Sequence, residues 1–149
     1  MNDRYLYRAK RTDNGEWIVG NRIDDGVTGQ VFIHAAGNTV NESDKVGEDG
    51  CLRFVAFEVD PSTICQCTGL KDKNGKLIWE NDIVKRVDKR NIFREQPSMN
   101  CKVVWTYNYG FDTLPSCGYF GKSDGLECEV IGNIFDEGSE NIGKGAEEN

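Results

Sequence analysis

The chain has little histidine and proline, and it has no long apolar segment. Its 149 residues include one histidine, His34, and three prolines. No run approaches the roughly 18 apolar residues that span a bilayer, and the start lacks the apolar stretch and cleavage site of a secretory signal. We therefore expect a cytoplasmic protein that does not act at a membrane. Seventeen glycines predict many turns, which favour short strands over long helices.

The single histidine also argues against several enzyme classes. A Ser-His-Asp or Cys-His mechanism would need His34, and no G-x-S-x-G or phosphate-binding loop accompanies it. The carboxylates of Asp72, Glu80 and Asp82 can act as general acid and base or hold a divalent metal. A calcium loop would need a third ligand before the glycine and a glutamate six residues after it, and both are missing. We predict no catalytic residue, cofactor or metal site, and a metal-dependent enzyme at these carboxylates is the least favoured alternative.

The six cysteines do not predict a disulfide framework, because that inference needs a secretory context. Structural zinc ligands are usually spaced two to four residues apart, whereas one residue separates the nearest pair here, Cys65 and Cys67. Reduced thiols that act as small core residues are therefore favoured over zinc ligands. The six are Cys51, Cys65, Cys67, Cys101, Cys117 and Cys128.

Short apolar runs between turn residues predict a mainly β chain with little helix, either all-β or a β-dominated α+β fold. Runs at 5–9 and 17–20 surround Asn14-Gly15 and predict a hairpin. No helical apolar period lasts beyond two turns. Residues 21–30 and 38–50 are predicted as loops, and residues 85–94 as helix or loop. The other predicted strands are 31–33, 51–59, 64–70, 76–79, 83–84, 103–109 and 129–135.

Residues 61–84 are predicted to be the structural centre of the chain. Asn74-Gly75 supplies the positive φ of a tight reversal, and Asn81 tolerates a positive φ in the following turn. We expect small antiparallel strand clusters and a partly open SH3-like barrel, divided into a β segment at 1–60, a β core at 61–136 and a disordered acidic tail at 137–149. The predicted core residues are Leu70, Ile78, Trp79, Ile83, Val104, Trp105, Val130, Ile131 and Ile134.

The string TGLKDKNGKLIWENDIV at 68–84 resembles the central motif of the YopX family of bacteriophage and prophage proteins. The family pattern is similar to TG-L-D-NG-x-I-x-E-G-D-I-V after Pro-x-Thr-Ile, and here Pro61, Thr63 and Ile64 precede it. The closing E-V-I-G-N-I matches 129–134, and the R-A and W-x-x-G elements match at Arg8 and at 17–20. The chain departs from the pattern at Asn81, where the family usually has glycine, and at about 86–126. The motif and turn residues are Thr68, Gly69, Asp72, Asn74, Gly75, Glu80, Asp82, Gly132 and Asn133.

The resemblance implies a phage-encoded, β-rich cytoplasmic protein that can self-associate. It carries over no catalytic residue. The function we expect is therefore that of a phage or prophage accessory protein, a non-enzymatic module that binds proteins or assembles with itself. Its partners would be a host or phage protein or further copies of the chain.

The uneven charge suggests nucleic-acid binding as an alternative function. The net charge is −7, yet residues 61–105 hold nine Lys and Arg against five Asp and Glu. A basic run can contact phosphates, and an aromatic side chain can stack on a base. A protein with a pI near 4.8 lacks the usual basic footprint, which disfavours nucleic acid as a partner. The candidate residues are Lys85, Arg86, Lys89, Arg90, Phe93 and Arg94.

Overall fold

The computed structural model describes residues 5–35, 56–87, 98–117, 120 and 127–136. Five predicted features lie outside these residues: Cys51, the loop at 38–50, most of the strand at 51–59, the basic residues from Lys89 to Arg94 and the tail at 137–149. The described strands are β1 (Tyr7–Lys10), β2 (Trp17–Asp24), β3 (Val31–Ala35), β4 (Ala56–Val59), β5 (Cys65–Lys71), β6 (Leu77–Trp79), β7 (Asp82–Val87), β8 (Ser98–Thr106), β9 (Gly110–Leu114) and β10 (Cys128–Asn133). A short 3-10 helix, Pro61–Thr63, follows β4.

The chain divides into two compact units, residues 1–66 and 67–149. In the first unit the strands are antiparallel in the order β4-β3-β2-β1, and β1 also pairs with the first two residues of β5. The predicted hairpin at Asn14-Gly15 is confirmed, since β1 pairs with β2 and Gly15 has a φ of 71°. The buried core of this unit consists of Ala9, Ile18, Val31, Ile33 and Val59.

Strand β2 is longer than predicted, and the expected loop at 21–30 is wrong over its first four residues. Residues 21–24 pair with β3, with Arg22 opposite Ile33. The polar side chains suggested a loop, but the Arg22 guanidinium bonds to the Asp24 carboxylate two residues away at 2.8 Å. A strand with exposed side chains can be held by its backbone hydrogen bonds alone. The polar residues therefore did not mark the end of β2.

The second unit contains an antiparallel sheet in the order β10-β7-β8-β9, and β6 pairs with the later part of β5. Strand β7 continues to Val87, so the predicted helix or loop at 85–94 is wrong for residues 85–87. The predicted strand at 103–109 starts earlier and ends at Thr106, and β9 was not predicted. The core of this unit consists of Ile78, Val84, Cys101, Val103, Cys117, Phe120 and Cys128.

Two of the predicted core residues are exposed, Trp105 by 53% and Ile131 by 49%. Ile131 lies at a bulge where the register of β10 against β7 shifts between Val130 and Gly132, and a bulge redirects the side chains beside it. Trp105 lies in the last part of β8, next to the turn. The prediction is confirmed for the buried residues Ile78, Trp79 and Ile83. The half-buried ones are Leu70, Val104, Val130 and Ile134.

The prediction of a mainly β protein is confirmed, since the described residues form two antiparallel sheets and one short helix. They form no closed barrel, and the partly open SH3-like arrangement stays a prediction.

The five cysteines in the described ranges are buried thiols, the predicted state. Among the residues that the structure describes, none belongs to a helix long and apolar enough to cross a membrane.

Candidate functional site

Asp72 forms the centre of the turn between β5 and β6. Its Oδ1 accepts hydrogen bonds from the backbone N–H groups of Asn74 and Lys76, both at 2.9 Å. The backbone N–H of Asp72 donates to the Lys76 carbonyl at 2.8 Å and closes the turn. Gly75 has a φ of 80°, a conformation that glycine adopts without steric cost. The Asp72 carboxylate therefore stabilises the turn.

The same carboxylate connects this turn to an edge strand of the four-stranded sheet. Asp72 Oδ2 accepts a 3.0 Å bond from the backbone N–H of Val130 in β10. The backbone N–H of Lys73 donates to the Cys128 carbonyl at 3.0 Å, and Lys73 Nζ lies 3.2 Å from the Glu129 carboxylate. The turn thus satisfies backbone groups along the outer edge of β10, which a sheet would otherwise leave open.

Two opposing effects act on the pKa of Asp72. Burial of the side chain is the largest contribution and raises the pKa, because it penalises the charged form. The N–H groups of Val130, Lys76 and Asn74, together with the Lys76 charge, outweigh burial and hold the pKa below its ordinary value. The carboxylate is therefore ionised at neutral pH and is engaged by backbone donors on both oxygens.

Another acidic residue of the motif, Asp82, is also part of a turn. Its Oδ2 accepts a 2.8 Å bond from the Trp79 N–H. Between them, Asn81 has a φ of 67°. Its N–H donates to the Val103 carbonyl at 2.9 Å, and its carbonyl accepts from the Ile134 N–H at 3.0 Å. The backbone of this turn is thereby fixed to two other segments, and the half-buried Glu80 lies next to it.

The remaining motif residues form similar local bonds. The Thr68 hydroxyl donates to the Ile78 carbonyl at 2.7 Å and accepts from the Leu70 N–H at 3.0 Å. Asn133 Oδ1 accepts from the Phe135 N–H at 2.8 Å. Gly69 has a φ of 75°, and Gly132 follows the bulge of β10. Within the described ranges, no three His, Cys, Asp or Glu side chains are grouped so that they could hold a metal ion.

The structure places the two described members of the predicted basic run in different environments. Lys85 is exposed, whereas Arg86 is buried. Arg86 Nη1 donates to Thr113 Oγ1 at 2.7 Å, and its guanidinium lies 5.0 Å from the centre of the Phe120 ring. Arg86 therefore contributes to the core of the second unit and is not presented to a phosphate at the surface. Lys89, Arg90, Phe93 and Arg94 lie outside the described residues.

A cluster of exposed aromatic residues lies in the turn between β8 and β9 and at the end of β8 before it. Trp105, Tyr107 and Tyr109 are exposed by 53%, 99% and 82%. We call residues 105–111 the aromatic hairpin. The sequence pattern W-T-Y-N-Y-G-F alternates aromatic and turn residues, and it could have revealed a hairpin in place of the predicted strand with a buried Trp105.

The aromatic hairpin has a defined backbone. Thr106 Oγ1 donates to the Gly110 carbonyl at 2.9 Å and accepts from the Tyr109 N–H at 3.2 Å. The rings of Trp105 and Phe111 meet edge to face, with centroids 4.8 Å apart and an interplanar angle of 77°. A Cβ at position 110 would lie 3.7 Å from the Trp105 ring, so the indole covers this glycine. The exposed rings are therefore carried on a tight, internally bonded turn.

The edge of β9 next to the aromatic hairpin is partly closed. The Thr113 N–H donates to Asp112 Oδ1 at 2.7 Å. The Thr113 hydroxyl donates to the Pro115 carbonyl at 3.2 Å while it accepts from Arg86. An edge amide that is bonded to its neighbour's side chain is a poor template for another strand. The backbone N–H of Thr113 is therefore not available to pair with an added strand.

The fold and the motif geometry together define a mainly β protein built from two antiparallel sheets, whose motif residues shape turns. The family model described as YopX protein matches residues 6–139, so the chain belongs to the YopX family. No curated protein matches the sequence.

Proposed function

We propose that the protein is a non-enzymatic accessory module of phage or prophage origin that acts in the cytoplasm and binds proteins through its aromatic hairpin. The observation that carries the proposal is the exposure of Trp105, Tyr107 and Tyr109 on one hairpin. Tyrosine and tryptophan are enriched in protein interfaces and in binding hot spots. A hairpin that exposes three of them at alternate positions has the composition of an interaction surface.

The rigidity of the aromatic hairpin supports the same function. The bonds of Thr106 and the contact of Trp105 with Phe111 fix the turn before any partner arrives. A preorganised surface loses less conformational entropy on binding than a flexible loop does. Binding loops use tyrosine as a rigid contact residue and asparagine for adaptable hydrogen bonds. The sequence 106–110, Thr-Tyr-Asn-Tyr-Gly, contains both tyrosine and asparagine.

The acidic residues of the motif give further support to a non-enzymatic role. Asp72 receives three backbone N–H donors, and Asp82 receives one from Trp79. A carboxylate that must act as a general base needs access to the proton of a substrate. The bonds of Asp72 instead have the pattern of a structural carboxylate.

The experiment that tests the proposal compares the wild type with the double variant Tyr107→Ser/Tyr109→Ser. Sedimentation velocity over a concentration series measures self-association, and affinity capture from a bacterial host lysate measures binding of other proteins. The matched control is Tyr5→Ser, because Tyr5 is also an exposed aromatic, at 69%, but lies in the first unit. Circular dichroism checks that each variant is folded.

We expect the wild type and Tyr5→Ser to bind the same protein partner or to form the same oligomer, and the double variant to lose that interaction. Equal binding by all three proteins would refute the proposal.

The nucleic-acid alternative retains Lys85 as an exposed cation, and tyrosine rings can stack on bases. Titration with single- and double-stranded DNA and RNA at two salt concentrations tests it, and salt-dependent binding that the double variant loses would replace the proposal.

A further inference from the structure

Two buried thiols lie in contact in the core of the second unit. Cys101 Sγ and Cys117 Sγ are 3.5 Å apart, and the two residues are exposed by 0% and 1%. Cys101 belongs to β8 and pairs with Val84 of β7, whereas Cys117 follows the end of β9. The two thiols therefore lie at the two ends of the segment that contains the aromatic hairpin.

The local bonds direct both sulfur atoms into the same region. The Cys101 thiol lies 3.8 Å from the Met99 carbonyl, and the Cys117 thiol lies 3.7 Å from the Pro115 carbonyl. Each thiol is thus held by the carbonyl two residues before it. A disulfide has an S–S length of about 2.0 Å, so the sulfurs would need to approach by about 1.5 Å.

We propose that Cys101 and Cys117 form a redox-active pair, which a low-molecular-weight disulfide converts into an intramolecular disulfide that links the two ends of the β8–β9 segment. The inference does not depend on the proposed function, because it concerns the thiols and not a partner of the hairpin. Both cysteines are free thiols in the structure. Burial, and then the neighbouring Cys117 thiol, raise the pKa of Cys101 to about 12, so this thiol is protonated at neutral pH.

The chemistry is thiol–disulfide exchange in two steps. The thiolate of one cysteine attacks a sulfur of the reagent, forms a mixed disulfide and releases one molecule of reagent thiol. The thiolate of the second cysteine then displaces the other reagent thiol and forms the protein disulfide. Two electrons pass from the protein to the reagent, and the two protons of the cysteines end on the two released thiols. Because the second step is intramolecular between adjacent sulfurs, the mixed disulfide should not accumulate.

Burial makes the first step slow, because the thiolate is the attacking form and the core must open for the reagent to enter. Slow oxidation with a single dominant product is the expected behaviour. The sequence offers a clean way to identify that product. Trypsin cleaves after Arg94, Lys102 and Lys122, so Cys101 lies in peptide 95–102 and Cys117 in peptide 103–122, each as the only cysteine.

The experiment incubates the folded wild-type chain with increasing oxidised glutathione, blocks the remaining thiols by alkylation and analyses a non-reducing tryptic digest by mass spectrometry. We expect peptide 95–102 joined to peptide 103–122, at least about tenfold more abundant than any other cysteine pairing, since adjacent sulfurs have a far higher effective concentration than separated ones. Cys128→Ala is the matched control, because Cys128 is also buried in this core and burial raises its pKa to about 11. The Cys128→Ala protein should give the same linked peptides.

The chain unfolded in denaturant provides the positive control for the reagent, and there the preference for one pairing should disappear. Formation of the expected link in folded wild type and in Cys128→Ala supports the inference. The inference is overturned if the folded chain does not form this link, or forms other pairings as readily, at reagent concentrations that oxidise the unfolded chain. The wild-type digest alone is decisive, so the outcome does not depend on whether a variant folds.

Discussion

The Asp72 carboxylate accepts a 3.0 Å hydrogen bond from the backbone N–H of Val130, 58 residues further along the chain. The bond joins the two parts of the YopX motif, the turn-rich string at 68–84 and the closing strand at 129–134. These parts are distant in sequence, and in the structure the Asp72 turn bonds to the outer edge of strand β10. The acidic residue of the motif therefore has a structural explanation that needs no substrate.

Replacement of Asp72 should destabilise the protein strongly. Asp72→Ala removes the acceptor of three backbone N–H groups, and we expect a loss of about 2–3 kcal/mol in the free energy of unfolding. Urea denaturation measures this loss. Asp13→Asn is the matched control, because Asp13 forms an exposed ion pair with Arg11, and such pairs contribute about 0–1 kcal/mol. A change of less than about 0.5 kcal/mol for Asp72→Ala would contradict the structural role.

The contribution of Asp72 should also depend on pH. Because its pKa is lowered by folding, the unfolded chain takes up the proton first as the pH falls. The stabilisation is therefore complete above the unfolded pKa of about 3.9 and is lost as the pH falls through the lower pKa of the folded state. The difference in unfolding free energy between wild type and Asp72→Asn should stay constant near neutral pH and shrink below about pH 4. Urea titrations across this range measure it, and a difference that grows in acid would be the opposite result.

The turn at Asn81 should tolerate glycine better than alanine. With a φ of 67°, a residue with a Cβ is strained by about 1 kcal/mol, while glycine is not. We expect Asn81→Gly to be more stable than Asn81→Ala by about 1 kcal/mol, which reverses the order found in ordinary strands and helices. Thermal and urea unfolding of the two variants test this. Equal stability, or a more stable alanine variant, would argue against the left-handed conformation.

The neighbouring cations Lys85 and Arg86 should differ in their effect on stability. Arg86→Met leaves the buried Thr113 hydroxyl without its donor and removes the contact with Phe120, so we expect a loss of about 1–3 kcal/mol. Lys85→Met changes an exposed position and should alter stability by less than about 0.5 kcal/mol. Chemical denaturation of the two variants compares them directly. A similar effect of both substitutions would mean that Arg86 is not a core residue.

Much of the fold could be predicted because the governing interactions are local. Asn14-Gly15 has the turn residues of a hairpin, and the apolar runs on either side pair as expected. Strand β9, with the sequence GFDTL, has no clear alternation, and its position depends on pairing with β8. The polar end of β2 is a strand for the same reason. A strand that depends on pairing with its neighbours has little β-strand pattern in its own sequence.

The candidate site was harder to predict, because its key features are not local. No pattern within 68–84 indicates that Asp72 bonds to Val130, since the partner is supplied by a strand from the other end of the unit. The burial of Arg86 depends on Thr113, 27 residues away. Trp105 was expected in the core because large aromatic side chains are usually buried there. Its position next to the turn places it at the surface instead.

The most direct test of a protein-binding aromatic hairpin is site-specific photo-crosslinking. A photoreactive phenylalanine derivative replaces Tyr107 in one protein and Val27 in another, two positions exposed by 99% and 94%. Both proteins are irradiated at matched concentration, pure and in host lysate, and the adducts are identified by mass spectrometry. A protein adduct formed at position 107, either with a second copy or with a host or phage protein, and absent at position 27 is the result that we predict. Identical adducts at both positions, or none at position 107, would contradict it.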